Sequence, residues 1–355
     1  PTLYGAYIFG DFGSGGIWAL FKEPNNTYRR ELLIASGRAI SSFAEGRDGE
    51  LFVLDYNGGI YKIVADHSIG SGPPQLLTDT GCVNPADPTQ PAAGLIPYTI
   101  NEPFWSDGAE KTRFMALPNN QRINVAADGD FTFPINSVLV KNFRLTGRLI
   151  ETRLFMRGEN GSWRGYSYRW NANQTQATLL TDALDENFGS VTWHYPSRAE
   201  CNVCHTAVAG FALGPEAQQI NGNFIYPDTG ANANQLTTWE AIGLFSAPLT
   251  NAQRNLFMPP SNDTRYSIAQ RTRSYLHSNC SNCHRPEGPT QVGFDLRYTT
   301  SLAQTGACNT RPSTTDLGIP DARVIAPGAS DRSVLLQRMI ATNDNRMPPI
   351  SSHIV

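Results

Sequence analysis

The sequence predicts an α+β protein of several domains, on two observations. Short runs of alternating apolar and polar residues, broken by Gly turns, fill the first half of the chain. They predict a propeller-blade-like β segment over 1–66, a linker over 67–95 and a β-rich domain over 96–196. After residue 197 the text turns to helix-capping signals and loops, which predicts a mainly α region over 197–355. A chain of 355 residues has the length for two or three cores.

Each element follows from its own text. "GAYIFGDF", "GGIWALFK", "AISSFAEG", "ELFVLD" and "GGIYKIV" read as strands of one antiparallel blade. "IGSGPPQLL" and "NPADPTQPAAG" have the Pro/Gly density that ends regular structure, hence the linker. "RFMALP", "QRINV", "FTFPI", "SVLVKNFRL", "RLIETRLFMR", "WRGYSYRWN" and "ATLL" are rich in branched and aromatic residues and predict a sheet sandwich or barrel, with "GENGSWRG" as a hairpin turn. Helices are expected at "TTWEAIGLF" with a Thr cap, at "LTNAQRNLFM", at "SIAQRTRSYLHSN" with Ile268, Tyr275 and Leu276 on one face, and at "SDRSVLLQRMI" with Ser330 as N-cap.

Composition excludes several classes of function. With 40% hydrophobic and 17% charged residues, 31 Gly and 24 Pro, the chain is ordered but rich in turns. A formal net charge of -3 and no Lys/Arg cluster give nothing that would gather nucleic acid or a membrane surface. No apolar run is long enough to span a bilayer.

The chemistry lies in a repeated frame. "AECNVCHTAV" places Cys201, Cys204 and His205 as C-x-x-C-H, and "HSNCSNCHRP" repeats the frame with Cys280, Cys283 and His284. Two such cysteines can hold zinc, form a redox dithiol, or each add to a vinyl group of one haem. The following His discriminates, because c-type attachment carries it under the porphyrin as an axial iron ligand. A single zinc on the four cysteines is the structural alternative. It leaves both histidines unexplained, and the 75 residues between the motifs exceed zinc-ribbon spacing. Two c-type haems are therefore expected, haem 1 within about 197–265 and haem 2 within about 266–355. Such attachment occurs outside the reducing cytoplasm, which predicts a periplasmic, extracellular or cell-surface chain. Cys82 and Cys308 are then left over as a candidate disulfide.

Each iron needs a second ligand, and Met or His is the usual choice in electron carriers. Met347, in "NDNRMPPISS", follows a helix signal and sits on a stiff Pro-Pro loop, so it is the candidate for haem 2. Met258, in "NLFMPPSNDT", has the same setting and is a candidate for haem 1. His194, seven residues before Cys201, competes with it. His353 is the fallback should Met347 fail, His277 reads as a surface or supporting residue, and His67 as solvated in the linker. Met115 and Met156 lie in strand-like text and read as core.

Two stretches carry family resemblances. "YIFGDFGSGGIWAL" followed by "ISSFAEGRDGELFVLDYNGGIYKI" resembles the last blade of the soluble PQQ-type glucose/sorbosone dehydrogenases, over about a fifth of the chain. Blades that would hold a quinone or sugar are not in this text, so no such site carries over. From "GLIPYTINEPFWSDGAEKTRFMALP" through the two motifs, "GFDLRY" and "PGASDRSVLLQRM" to "RMPP", the chain resembles bacterial diheme c-type cytochrome domains, often fused behind such propellers. That resemblance implies Cys201, Cys204, Cys280 and Cys283 as attachments, His205 and His284 as proximal ligands, and Met347 as a distal one. It implies single-electron transfer from a dehydrogenase donor to a cytochrome or oxidase acceptor, with no substrate transformed. Two alternatives stand beside it: a diheme peroxidase with one open iron face, and the C-terminal part of a PQQ-dependent sugar dehydrogenase fusion.

Overall fold

The computed structural model describes residues 3, 5–64, 72–290, 292–350 and 353–354. Among the described residues strands hold 31% and helices 16%. The expected mainly α C-terminal region is therefore not what forms. The α-helices among the described residues do fall after residue 197, but all except one are only four to seven residues long. The physical reason is local: Gly243, Pro259, Pro260, Pro286 and Pro289 punctuate the text, and helices this short do not outlast their neighbours without packing.

The N-terminal β text makes two three-stranded sheets rather than one blade. The first comprises β1 (Tyr7–Gly10), β2 (Gly16–Lys22) and β3 (Tyr28–Ala35), and the second β4 (Ile40–Glu45), β5 (Leu51–Asp55) and β6 (Ile60–Lys62). They meet over a small core of Ile17, Ile40 and Val53.

The expected linker is structured over its described part, from residue 72 onward. A 3-10 turn at Leu77–Thr80 leads into β7 (Val83–Asn84) and β8 (Asp87–Pro91). Leu77, Cys82 and Val83 are buried against Val140, Leu154, Tyr166 and Tyr168, and Gln75 hydrogen-bonds Leu179 at the sheet edge. The Pro/Gly text breaks regular structure without freeing the chain from the core. His67 lies outside the described residues.

The central element is one antiparallel sheet in the order β16-β15-β14-β13-β10-β9. Its strands are β9 (Ile96–Tyr98), β10 (Glu110–Ala116), β13 (Val138–Leu145), β14 (Arg148–Arg157), β15 (Trp163–Trp170) and β16 (Ala177–Leu179). Short pairs complete the β structure: β11 (Asn124–Val125) with β12 (Phe131–Thr132), β17 (Leu184–Phe188) with β18 (Val191–Tyr195), and β19 (Asn223–Ile225) with β20 (Asn232–Asn234). The hairpin expected at "GENGSWRG" joins β14 to β15 through Gly158 N–H and Ser162 O. Alternation gives the sheet two faces. One is sealed by residues 74–95, and the other carries Met115, Leu139 and Phe155 toward Trp239, Phe245 and Ile220.

The helices are α1 (Arg198–Cys204), α2 (Ala217–Ile220), α3 (Gln235–Ala241), α4 (Asn251–Arg254), α5 (Ile268–Cys280) and α6 (Val334–Ile340). Reciprocal capping boxes start three of them, at Ser197/Glu200, Thr250/Gln253 and Ser267/Gln270. Two caps differ from expectation. Asn234, not a Thr, caps α3, and Ser330 opens a 3-10 turn while α6 begins only at Val334. On α5, Leu276 is buried but Ile268 is 74% exposed, so the expected shared face does not hold. No described helix is long and apolar enough to cross a membrane.

Replacing Leu77 by Ala tests the burial of the supposed linker. Chemical denaturation should show a loss of about 2–5 kcal/mol. A change below about 0.5 kcal/mol, the scale of an exposed position, would mean this segment does not seal the sheet.

Candidate haem-attachment site

The first motif is built by α1, which lies between β3 and β15. Its capping box fixes the start of the helix, and Cys201 and Cys204 occupy its last turns. The approach to β15 is close enough that a Cβ on Gly165 would fall 2.4 Å from Cys201 Sγ. Glycine at 165 is therefore a steric requirement of the motif. His205 follows as the C-cap and lies over Phe155, with ring centroids 4.1 Å apart. Its Nδ1 is 2.6 Å from Phe211 O. A carbonyl only accepts, so Nδ1 carries the proton and Nε2 keeps its lone pair.

The second motif ends α5 and turns the same way. His205 N–H donates to Cys201 O at 3.0 Å, and His284 N–H donates to Cys280 O at 2.8 Å. The repeated frame is thus also a repeated conformation. His284 stacks on Phe294 with centroids 4.6 Å apart, and its Nδ1 is buried without a hydrogen-bond partner. Cys280 packs with Phe294, Leu335 and Met339 around buried Leu276, Leu296, Ala307 and Val324. A cavity of about 400 Å³ borders this cluster, between Tyr275 and Leu276 of α5 and Leu335, Leu336 and Met339 of α6. A Cβ on Gly288 would fall 2.0 Å from Cys283 O, which ties the loop after the motif to that residue.

The two motif loops are hydrogen-bonded to each other. Thr206 Oγ1 donates to Asn282 O at 2.8 Å, Asn282 Nδ2 donates to Cys204 O at 3.2 Å, and Cys283 Sγ donates to Val203 O at 3.4 Å. Arg285 closes the contact by donating to Val208 O at 3.0 Å. Proximity of the two motifs comes from loop against loop.

The electrostatics suit neutral ligands. Burial pushes His205 down to about 3 and His284 down to about 4, so both imidazoles are uncharged at neutral pH. It pushes Cys201, Cys204 and Cys280 up to about 12 and Cys283 up to about 11, keeping them as thiols. Among the described residues no group of three or more His, Cys, Asp or Glu is placed to hold a metal ion, so the four thiols do not form the tetrahedral cluster of the zinc alternative. The residues at both motifs fit a c-type haem: paired thiols one turn apart, then an imidazole with a free or freed nitrogen.

The other expected residues are placed as follows. His194, on β18, has Nδ1 2.7 Å from Asp185 and Nε2 3.2 Å from Glu200, so both nitrogens are committed and it props the α1 capping box instead of facing an iron. Met258 is fully buried, its N–H bonded to Gln218 O and its carbonyl accepting from Asn101. Met347 is half-buried and its N–H donates to Arg338 O on α6, the helix that packs toward Cys280. His353 is drawn to Asp107 by its Nδ1, at 3.3 Å. His277 is buried rather than at the surface, accepting from Tyr298 N–H and donating to Glu216 at 2.7 Å. Met115 is core, as expected, and Met156 packs partly buried against the sheet core. Cys82 and Cys308 are both free, the first buried under the central sheet and the second exposed, so the expected disulfide is not formed. Sequence reasoning missed Gly165 and Gly288, for which spacing gives no signal. Comparison with protein-family models, with curated proteins and with solved structures finds no match.

His194 gives a pH signature. Burial opposes its charge, but the hydrogen bonds that its ring donates to Glu200 and Asp185 outweigh it and raise the pKa above 6.5. Stability from a raised histidine pKa is complete below the unfolded value and is lost as pH rises through the folded one. Denaturation midpoints of wild type and His194→Gln should differ most near pH 6 and converge toward pH 9. A gap independent of pH would rule out the ion pairs.

Proposed function

We propose that the chain is a diheme c-type cytochrome that passes single electrons, with haem 1 on Cys201 and Cys204 and haem 2 on Cys280 and Cys283. The observation that carries this reading is the direct hydrogen bonding of the two motif loops. Cofactors attached at those loops would lie near one another, as electron hopping requires and independent zinc or dithiol sites do not. His205 and His284 are the proximal ligands, and the carbonyl of Phe211 orients the first imidazole. Met347 is the distal ligand proposed for haem 2, since its loop is anchored to the helix beside Cys280. Met258 is proposed for haem 1, because His194 is held by two carboxylates.

Each haem supplies a one-electron Fe(III)/Fe(II) couple. The chain's own residues hold both imidazoles neutral by burial, and the Phe211 carbonyl fixes the orientation of the first. Maturation of such thioethers outside the reducing cytoplasm favours a periplasmic or extracellular site, with a dehydrogenase as donor and a cytochrome or oxidase as acceptor.

Intact mass under denaturing conditions, after expression with a haem-attachment system, tests the reading. Wild type should gain two haem masses and Cys201→Ser/Cys204→Ser only one. Bound zinc and no haem gain would overturn it. Spectra of wild type should be low-spin throughout, whereas a high-spin ferric haem with peroxide turnover would mean a peroxidase. Gly165→Val should also lose one haem mass, because its side chain would occupy the space of Cys201 Sγ. Two haem masses in that variant would show that the close approach is not needed for attachment.

A further inference from the structure

The sheet face beneath the first motif carries an unusual row of charge. In the register of β10, β13 and β14, Arg113 is directly opposite Lys141, and Lys141 directly opposite Arg153. Like charges side by side on neighbouring strands are destabilising. Arg153 is compensated by a bidentate pair to Glu151 at 2.7 and 2.9 Å. That carboxylate also accepts from Ser167 and Trp193 Nε1, so its charge reaches Lys141 only at a distance and forms no ion pair with it. Among the described residues Arg113, only 6% exposed, and half-buried Lys141 have no hydrogen-bond or ion-pair partner. Burial and the neighbouring cations together push the Lys141 ammonium well below its ordinary range. An anion placed beside this row would offset the burial of Arg113 and favour the charged form of Lys141.

Register also says where such an anion would come from. Two residues along each strand, on the same face, lies the row Met115, Leu139, Phe155 and Gly165. Phe155 is the residue under His205, and Gly165 is the residue against Cys201. The cationic row is thus one step of about 7 Å from the floor of the first motif. Lys141 and Arg153 are close enough to act electrostatically on His205. A c-type haem is held by its vinyl edge and carries two propionate carboxylates on the opposite edge.

We propose that Arg113 and Lys141 bind the two propionates of haem 1. The proposal rests on covalent haem attachment at Cys201 and Cys204. Two cations then meet two carboxylates in a site of low dielectric, where each pairing removes a cost that neither partner bears in water.

The test compares wild type with Arg113→Met/Lys141→Met and with Lys141→Arg, all matured with haem. Intact mass first counts haems: none in wild type defeats the functional reading itself. With two haems present, potentiometry should show the haem 1 couple of the double variant shifted about tenfold toward Fe(III), which is 59 mV for one electron. The haem 2 couple should stay in place, and Lys141→Arg should keep the wild-type values. Unchanged couples in the double variant would overturn the proposal. A second measurement guards against a variant that loses haem 1. Lys141→Met should lower the melting temperature of the loaded chain and raise it in the Cys201→Ser/Cys204→Ser background, where the cation has no partner. A shift of the same sign in both backgrounds means that Lys141 acts only structurally, and would also overturn the proposal.

Discussion

The close packing of α1 against β15 at Gly165 is the constraint from which the candidate site follows. A helix seated that near a strand needs a position without a Cβ, and the strand supplies it opposite Phe155. Once α1 is seated, Cys201 is pressed to the sheet and His205 lands on Phe155. The turn that follows carries Phe211 O to the imidazole, fixing its tautomer. Arg153 is held below by Glu151, which Trp193 in turn anchors. One steric allowance thereby sets position, orientation and local charge.

The second motif is positioned by the first. Its helix, α5, is started by the Ser267 capping box and runs for 13 residues before releasing Cys280. The loop beyond it is tied to the first motif by Asn282, whose amide reaches Cys204 O while its own carbonyl takes the Thr206 hydroxyl. Each such bond is modest, about 1 kcal/mol net, but three together with Arg285 leave little freedom between the loops. A shift of α1 would be felt at Cys283. The relation of the two sites is therefore a property of packing.

The repeated motif was more legible in the sequence than the architecture. C-x-x-C-H is a local pattern, and its five residues adopt one local turn twice. Alternation likewise placed β13, β14 and β15, because long half-buried strands have a period that propensity and pattern both mark. What the text hid is non-local. "SIGSGPPQLL" looks like a linker because Pro and Gly break helices and strands, yet Leu77 is in the core. His194 looked like a ligand by its distance from Cys201, but Asp185 across the hairpin claims it. Arg113, Lys141 and Arg153 are far apart in sequence and neighbours only through strand register. The mainly helical C-terminal region failed for a related reason: capping signals mark where helices start, not how far they run.

On the proposed reading, the cofactors also account for how a region with so little regular structure holds together. The central sheet has aromatic and aliphatic cores on both faces, one of them closed by Ile220, Leu236, Trp239 and Phe245 from beyond residue 196, and the burial on those two faces is extensive. Around the second motif only Leu276, Leu296, Ala307 and Val324 form the buried centre, and the covering helix α6 has seven residues. Helices of that length depend on tertiary contacts. A macrocycle bonded to Cys280 and Cys283 would add a broad apolar surface near the cavity that α5 and α6 border. On that reading attachment and folding of this region would be coupled, whereas the sheet beneath the first motif has its own protein core. The asymmetry follows from where apolar side chains are abundant along the chain and where Gly, Pro and polar residues replace them.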